Sequence, residues 1–198
     1  MVFDTLRLSL RELTSRDAPF ILELLNDPSF LRFIGDKGAR TIADARRYIE
    51  EGPRASYRRN GFGLYLVQLR KSGEQLGMCG LVKRETFADV DIGFAFLPRH
   101  WSKGYALESC EAVMHLAHTR FGISRVVAIT SLDNHGSMRV LGKLGLRYER
   151  TLQMPGQSER VNLFVPAGEP DGSGDGHGKR ARPRAGNEVK TETEGNVE

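Results

Sequence analysis

Apolar and polar residues alternate through Leu6-Arg7-Leu8-Ser9-Leu10-Arg11, the period-two pattern of a strand with one buried face. The period then lengthens. Thr14 or Ser15 can cap a helix whose inner face is Phe20, Ile21, Leu24 and Leu25, ending before Pro28. Thr41 caps another, running to Glu51 and stopped by Gly52-Pro53. Phe62–Leu69 and Gln75–Val82 read as strands joined by the turn Lys71-Ser72-Gly73-Glu74, with Asp89–Leu97 as the third strand of a meander. Pro98 closes that strand, because proline has no N–H to give a ladder.

A helical pattern begins at Gly104 or Tyr105 and runs to about Phe121. At ~100° per residue, Ala106, Ser109, Cys110, Val113, Ala117 and Phe121 share one stripe, and Glu108, Glu111, His115 and His118 share the opposite one. The expectation is that Cys110 points inward and the charges face water. The β-branched run Arg125–Thr130 predicts a strand, Met138–Leu146 a helix, and Arg147–Gln153 and Glu159–Val165 the last strands. Strands and helices interleave, so the class is mixed α/β (α+β), with the folded domain over 1–166.

Beyond Pro166 the pattern stops. Residues 168–198 contain glycine, proline and charge but almost no large apolar side chain, so 167–198 reads as a disordered low-complexity tail. Its Lys179-Arg180-Ala181-Arg182-Pro183-Arg184 cluster is read as a solvated charge run. The formal charge of +4 is unevenly divided: five basic and seven acidic residues lie from Ala167 onward, leaving 24 basic and 18 acidic before it. A mildly basic body suits a ligand with several phosphates. Interleaved aromatic and basic residues of the kind that bind single strands are missing, so nucleic acid is not the expected partner. No apolar run approaches the ~20 residues of a membrane span. The N-terminus lacks a signal-peptide pattern, and Cys79 and Cys110 have no disulfide or zinc spacing, which together fit a reduced cytoplasmic setting.

The chemistry concentrates in two places. Between the strand ending near Leu97 and the helix starting near Gly104, backbone N–H groups from Ser102 to Leu107 lie at a helix N-terminus without intrahelical acceptors, an arrangement that receives anions. Gly104 lets a phosphate approach where a Cβ would collide. About thirty residues on, Asn134 can cap the helix that follows, with Ser137 in its first turn. His115 and His118 with Glu111 lie on a solvated face, so no metal is expected. Neither G-x-G-x-x-G nor G-x-x-x-x-G-K-[ST] occurs.

Trp101-Ser102-Lys103-Gly104-Tyr105-Ala106-x-Glu108, followed by Asn134-x-x-Ser137-x-x-Val140-Leu141-x-Lys143-Leu144-Gly145-Leu146, resembles the GNAT superfamily of acyl-CoA-dependent N-acetyltransferases. The chain is most similar there to the branch of ribosomal-protein N-terminal acetyltransferases of the RimJ/RimL type, over roughly residues 5–165. The resemblance implies a twisted, mostly antiparallel sheet flanked by helices. It implies acetyl-CoA as co-substrate and direct transfer to an amine, either a protein N-terminal α-amine or a small molecule. Phe94, Ala95 and Phe96 would contact pantetheine and acyl group through their backbone. Ser102, Lys103, Gly104, Tyr105, Ala106 and Leu107 would hold the pyrophosphate, and Asn134 the pantetheine. Ser137 would serve the leaving thiolate, since the helix carries Leu141 where many members place a tyrosine. Ile129 stands where some relatives have a glutamate base, which leaves Asp91 as the candidate, either as base or as a strand-end carboxylate paired with Lys83 or Arg84; Glu85 is a substrate-side alternative. Trp101 replaces the arginine or glutamine that usually opens the cradle, and Ser102 stands where the branch has glycine. Acceptor loops would be 26–40, 52–60 and 84–90. A non-catalytic acyl-CoA sensor or scaffold of the same fold stays open, as does a homodimer.

Overall fold

The chain runs β1 (Val2–Asp4), β2 (Leu8–Glu12), α1 (Ala18–Asn26), α2 (Pro28–Phe33), α3 (Ile42–Ile49), α4 (Ala55–Asn60), β3 (Leu64–Leu69), β4 (Gln75–Lys83), β5 (Val90–Phe96), α5 (Tyr105–Thr119), β6 (Val126–Ser131), α6 (His135–Lys143), β7 (Leu146–Gln153) and β8 (Arg160–Pro166). The computed structural model describes residues 2–84, 88–154 and 159–168. Glu85 and nearly all of the tail expected over 167–198 lie outside the described residues.

Eight strands form one sheet in the order β1-β2-β3-β4-β5-β6-β8-β7. Every neighbouring pair is antiparallel except β5–β6, which is parallel. Alternation along the strands divides the core. On one face Cys79, Ile92 and Phe164 meet Cys110, Val113 and Leu141 from α5 and α6. On the other, Leu66 and Met78 meet Ile21, Leu24, Ile49 and their neighbours from α1 and α3. The mixed α/β class with a mostly antiparallel sheet between helices is therefore the fold observed.

One proline reading holds and one is corrected. α1 ends at Asn26, before Pro28 as expected, but Pro28 then begins α2 inside the expected acceptor loop 26–40: Asp27 Oδ1 accepts the Ser29 N–H at 2.9 Å, and a first-turn proline has no hydrogen bond to lose. Gly52-Pro53 does not stop α3. The chain widens into a π-helical turn over Glu50–Arg54, which absorbs the missing proline N–H, and continues into α4 until Gly61 takes a φ of 77°. The expected acceptor loop 52–60 is thus helical. Thr41 does cap α3, with Asp44 completing a reciprocal capping box.

Candidate active site

The site begins where the sheet opens. β5 and β6 are paired only at Val90 with Val126 and Asp91 with Val127, after which the two parallel strands diverge. The N–H groups of Leu97 and Leu81 donate to Leu76 and Gly63, which fixes the alternation along β4 and β5. It turns the main-chain groups of Phe94 and Phe96 away from β4, toward the gap. The Phe96 carbonyl accepts the Trp101 indole N–H at 2.7 Å. Phe94 keeps an N–H and a C=O facing the opening.

A cavity of about 660 Å³ lies at this opening, lined by Phe94–Phe96 of β5 and by Asp133–Ser137 beyond the end of β6. Two helix N-termini converge on it. Gly104 caps α5 at a φ of 81° without any side-chain cap, and Ser102, Gly104, Tyr105, Ala106 and Leu107 line the space. First-turn N–H groups with no acceptor among the described residues therefore border a cavity, as an anion requires. Ser102 is the one described non-glycine residue at positive φ, 59°. Lys103 does not line the cavity, and its carbonyl is held by Arg7 Nη1 at 2.9 Å.

Asn134 and Ser137 line the cavity from α6. Asn134 Oδ1 accepts the Ser137 N–H at 3.0 Å, so its oxygen caps the helix while its amide nitrogen is left to donate. Arg139 and Lys143 on the same helix add positive charge to the cavity wall. The facing wall comes from α1 and α2, with Leu24, Phe30, Phe33 and Ile34. Arg32 Nη2 reaches Asp133 Oδ2 at 2.6 Å, joining α2 to the loop before α6, and this pairing holds the Asp133 carboxyl below its ordinary value.

Asp91 stands apart from the lining residues. It belongs to the last parallel pair before the opening, on the face where Ala95 packs against the α1–α3 core. The residue is 1% exposed. Its Oδ2 accepts from Arg84 Nη2 at 3.1 Å, while its Oδ1 has no hydrogen-bond partner among the described residues. Burial pushes the carboxyl above its ordinary value even though Arg84 pulls the other way. The structure thus places the ion pair on Arg84, whereas Lys83 donates to the Ala88 carbonyl.

One polar residue was misassigned by periodicity. Glu108, on the stripe expected to face water, is half-buried and bound to Thr5 and Arg7 of the β1–β2 turn. Nothing local to either segment announces a contact 101 residues apart; α2 and the Arg32–Asp133 bridge escaped for the same reason.

The acetyltransferase (GNAT) domain profile matches residues 7–147. The uncharacterized N-acetyltransferase YoaA of Bacillus subtilis (strain 168) is 27% identical over 153 residues, covering 77% of this chain and 86% of that protein. Among solved structures, an acetyltransferase from Agrobacterium tumefaciens str. C58 superposes with a TM-score of 0.71 at 22% identity, covering 83% of this chain and 93% of that one. The ribosomal L7/L12 α-N-protein acetyltransferase RimL, solved in complex with coenzyme A, gives 0.66 at 17% identity over 85% and 100% of the two chains. These structural likenesses establish a shared fold.

Proposed function

This chain belongs to the GNAT acetyltransferase family, and from that premise we propose that it transfers the acetyl group of acetyl-CoA to a primary amine, directly within a ternary complex. The observation that carries the proposal is the opening between β5 and β6, bordered by the uncapped α5 N-terminus on one side and by Asn134 and Ser137 on the other.

Acetyl-CoA supplies an activated thioester and a phosphate-rich handle. The α5 N-terminus would take the diphosphate on its free N–H groups, with Gly104 supplying the left-handed turn that starts the helix, where a Cβ would be strained and would press on the Arg7 guanidinium at 3.1 Å. The Phe94 main chain would pair with the pantetheine arm and polarise the acyl carbonyl. The Asn134 amide nitrogen would hold the same arm. The Ser137 hydroxyl would donate to the leaving thiolate. Asp91, buried outside the cavity lining, would accept the ammonium proton through water, its raised pKa making it a better base near neutrality than a solvated carboxylate. The acceptor is read as a protein N-terminal α-amine or a small amine approaching from the α1–α2 side; the RimL neighbour, named for acting on a protein α-amine, supports the first. The enclosed, reduced thiols Cys79 and Cys110 support a cytoplasmic setting.

A second reading has its own observation. Asp91 is engaged by Arg84 and does not line the cavity, as suits a family member that binds acyl-CoA without turning it over. Calorimetry with acetyl-CoA on the native chain and on Gly104→Glu, with thiol release over a panel of amines and N-terminal peptides, separates the two. Binding lost in the variant together with thiol release supports the enzyme. Binding without release from any amine supports the sensor. No binding by the native chain overturns both.

A further inference from the structure

We propose that Arg7 is a positioning residue for the diphosphate-binding loop, and that Thr5, Arg7 and Glu108 form the device that orients it. The inference rests on the reading of the α5 N-terminus as the coenzyme A diphosphate site. Arg7 is absent from the cavity lining, so it acts through the loop rather than on the ligand.

Three observations converge on it. First, the Arg7 Nη1 donates to the Lys103 carbonyl at 2.9 Å. In a planar trans peptide the C=O and the next N–H point in opposite directions. Fastening the Lys103 oxygen on the Arg7 side therefore aims the Gly104 N–H the other way, toward the cavity that Gly104 lines and Lys103 does not. Gly104 at a φ of 81° has little backbone preference of its own, so an external tie must choose the orientation.

Second, α5 carries a carboxylate, Glu108, in the first turn of the helix whose N-terminus would receive an anion. Left free, it would compete with the phosphates for the same positive end. Both its oxygens are engaged away from that end. Oε1 accepts from Thr5 Oγ1 at 2.5 Å and from the Arg7 N–H at 2.8 Å, and Oε2 from Arg7 Nε at 2.6 Å. Third, the same guanidinium lies over the Tyr105 ring, 4.8 Å from its centroid, fixing the first residue of the helix. One side chain thus orients the peptide before the cap, covers the first helical residue and neutralises the first-turn acid.

The test compares two acetyl donors that differ in the part the loop would grip. Acetyl-CoA carries the diphosphate; S-acetylpantetheine lacks it. Native chain, Arg7→Ala, Arg7→Lys and Glu108→Gln are assayed with both donors, with coenzyme A affinity measured by calorimetry. Arg7→Ala is expected to weaken coenzyme A binding and raise KM for acetyl-CoA about tenfold, with kcat and the kcat/KM for S-acetylpantetheine unchanged. Arg7→Lys, which keeps the charge but not the fork, is expected to recover only part of the loss. The milder Glu108→Gln is expected to show the same donor selectivity, and carries the test should Arg7→Ala fail to fold. Equal losses with both donors, or no loss with either, overturn the positioning role. Failure of the native chain to bind coenzyme A overturns it too, along with the diphosphate reading on which it stands.

Discussion

Asn134 Oδ1 accepts the Ser137 N–H at 3.0 Å, so the side chain assigned to the pantetheine also starts the helix that carries the assigned thiol donor. On the proposed reading two demands would fall on opposite ends of one amide, the oxygen serving the fold and the nitrogen the ligand. Asn134→Asp keeps an equally good cap and removes the donor, whereas Asn134→Ala removes both. The alanine variant is expected to lose about 1 kcal/mol of stability and the aspartate variant a few tenths at most, with both raising KM for acetyl-CoA. Urea denaturation alongside steady-state kinetics checks this; an aspartate variant with native KM would reduce Asn134 to a cap.

Asp91 is half of a buried ion pair with Arg84 and, on the proposed reading, would also be the base. If its ionised form is the base, activity falls as the pH drops through its raised pKa. Arg84 favours the charged form, so removing it raises that pKa further. Arg84→Met is therefore expected to move the acid limb of kcat/KM to higher pH. Asp91→Asn is expected to cost roughly a hundredfold or more at alkaline pH and to flatten that limb. Full activity in Asp91→Asn would leave the residue as half of a buried ion pair.

Glu108 makes stability pH-dependent in a predictable direction. Burial alone would raise its pKa, but the hydrogen bonds from Thr5 and Arg7 outweigh this and hold it below the ordinary 4.5. The folded chain then binds fewer protons at this site than the unfolded chain. The contribution is complete above about pH 4.5 and is lost as pH falls through the depressed value. Melting temperatures of the native chain and Glu108→Gln are expected to differ at pH 7 and to converge under acid. A gap that persists well below pH 4.5 would show that the charge is not what matters.

Ser102 occupies a left-handed conformation that costs an L-residue about 1–2 kcal/mol. Ser102→Gly removes that strain but frees the unfolded chain by about 0.5–1 kcal/mol. A net stabilisation of up to about 1.5 kcal/mol is expected, with coenzyme A affinity held because the backbone N–H is retained. A lower urea midpoint would mean that the serine hydroxyl makes good the strain.

The sequence was most informative where a structural task is local. Thr41 with Asp44, Asn134 before Ser137, and the alternation through Leu8 and Leu10 each declare their element within a few residues. Gly104 before the α5 stripe announced a helix start that borders a cavity. What stayed hidden was combinatorial. Whether Gly52-Pro53 ends a helix depends on the chain's freedom to widen into a π turn, and neither residue encodes that alone. Whether Glu108 meets water depends on an arginine in the first hairpin. Periodicity places a residue on a face but does not say what another segment brings to that face.

The paucity of pairing between β5 and β6 has a mechanical meaning. Two registered pairs are the strand pairing that joins the five amino-terminal strands to the three carboxy-terminal ones, which otherwise share the core packed on α5 and α6. A ligand lying along Phe94 would occupy the position of a strand, bridging sheet edges that strand hydrogen bonds leave apart beyond Asp91. On the proposed reading the acyl donor would be a keystone as well as a reactant. Its arrival would slow amide exchange on both sides of the seam together, and each completed turnover would briefly reopen the arch.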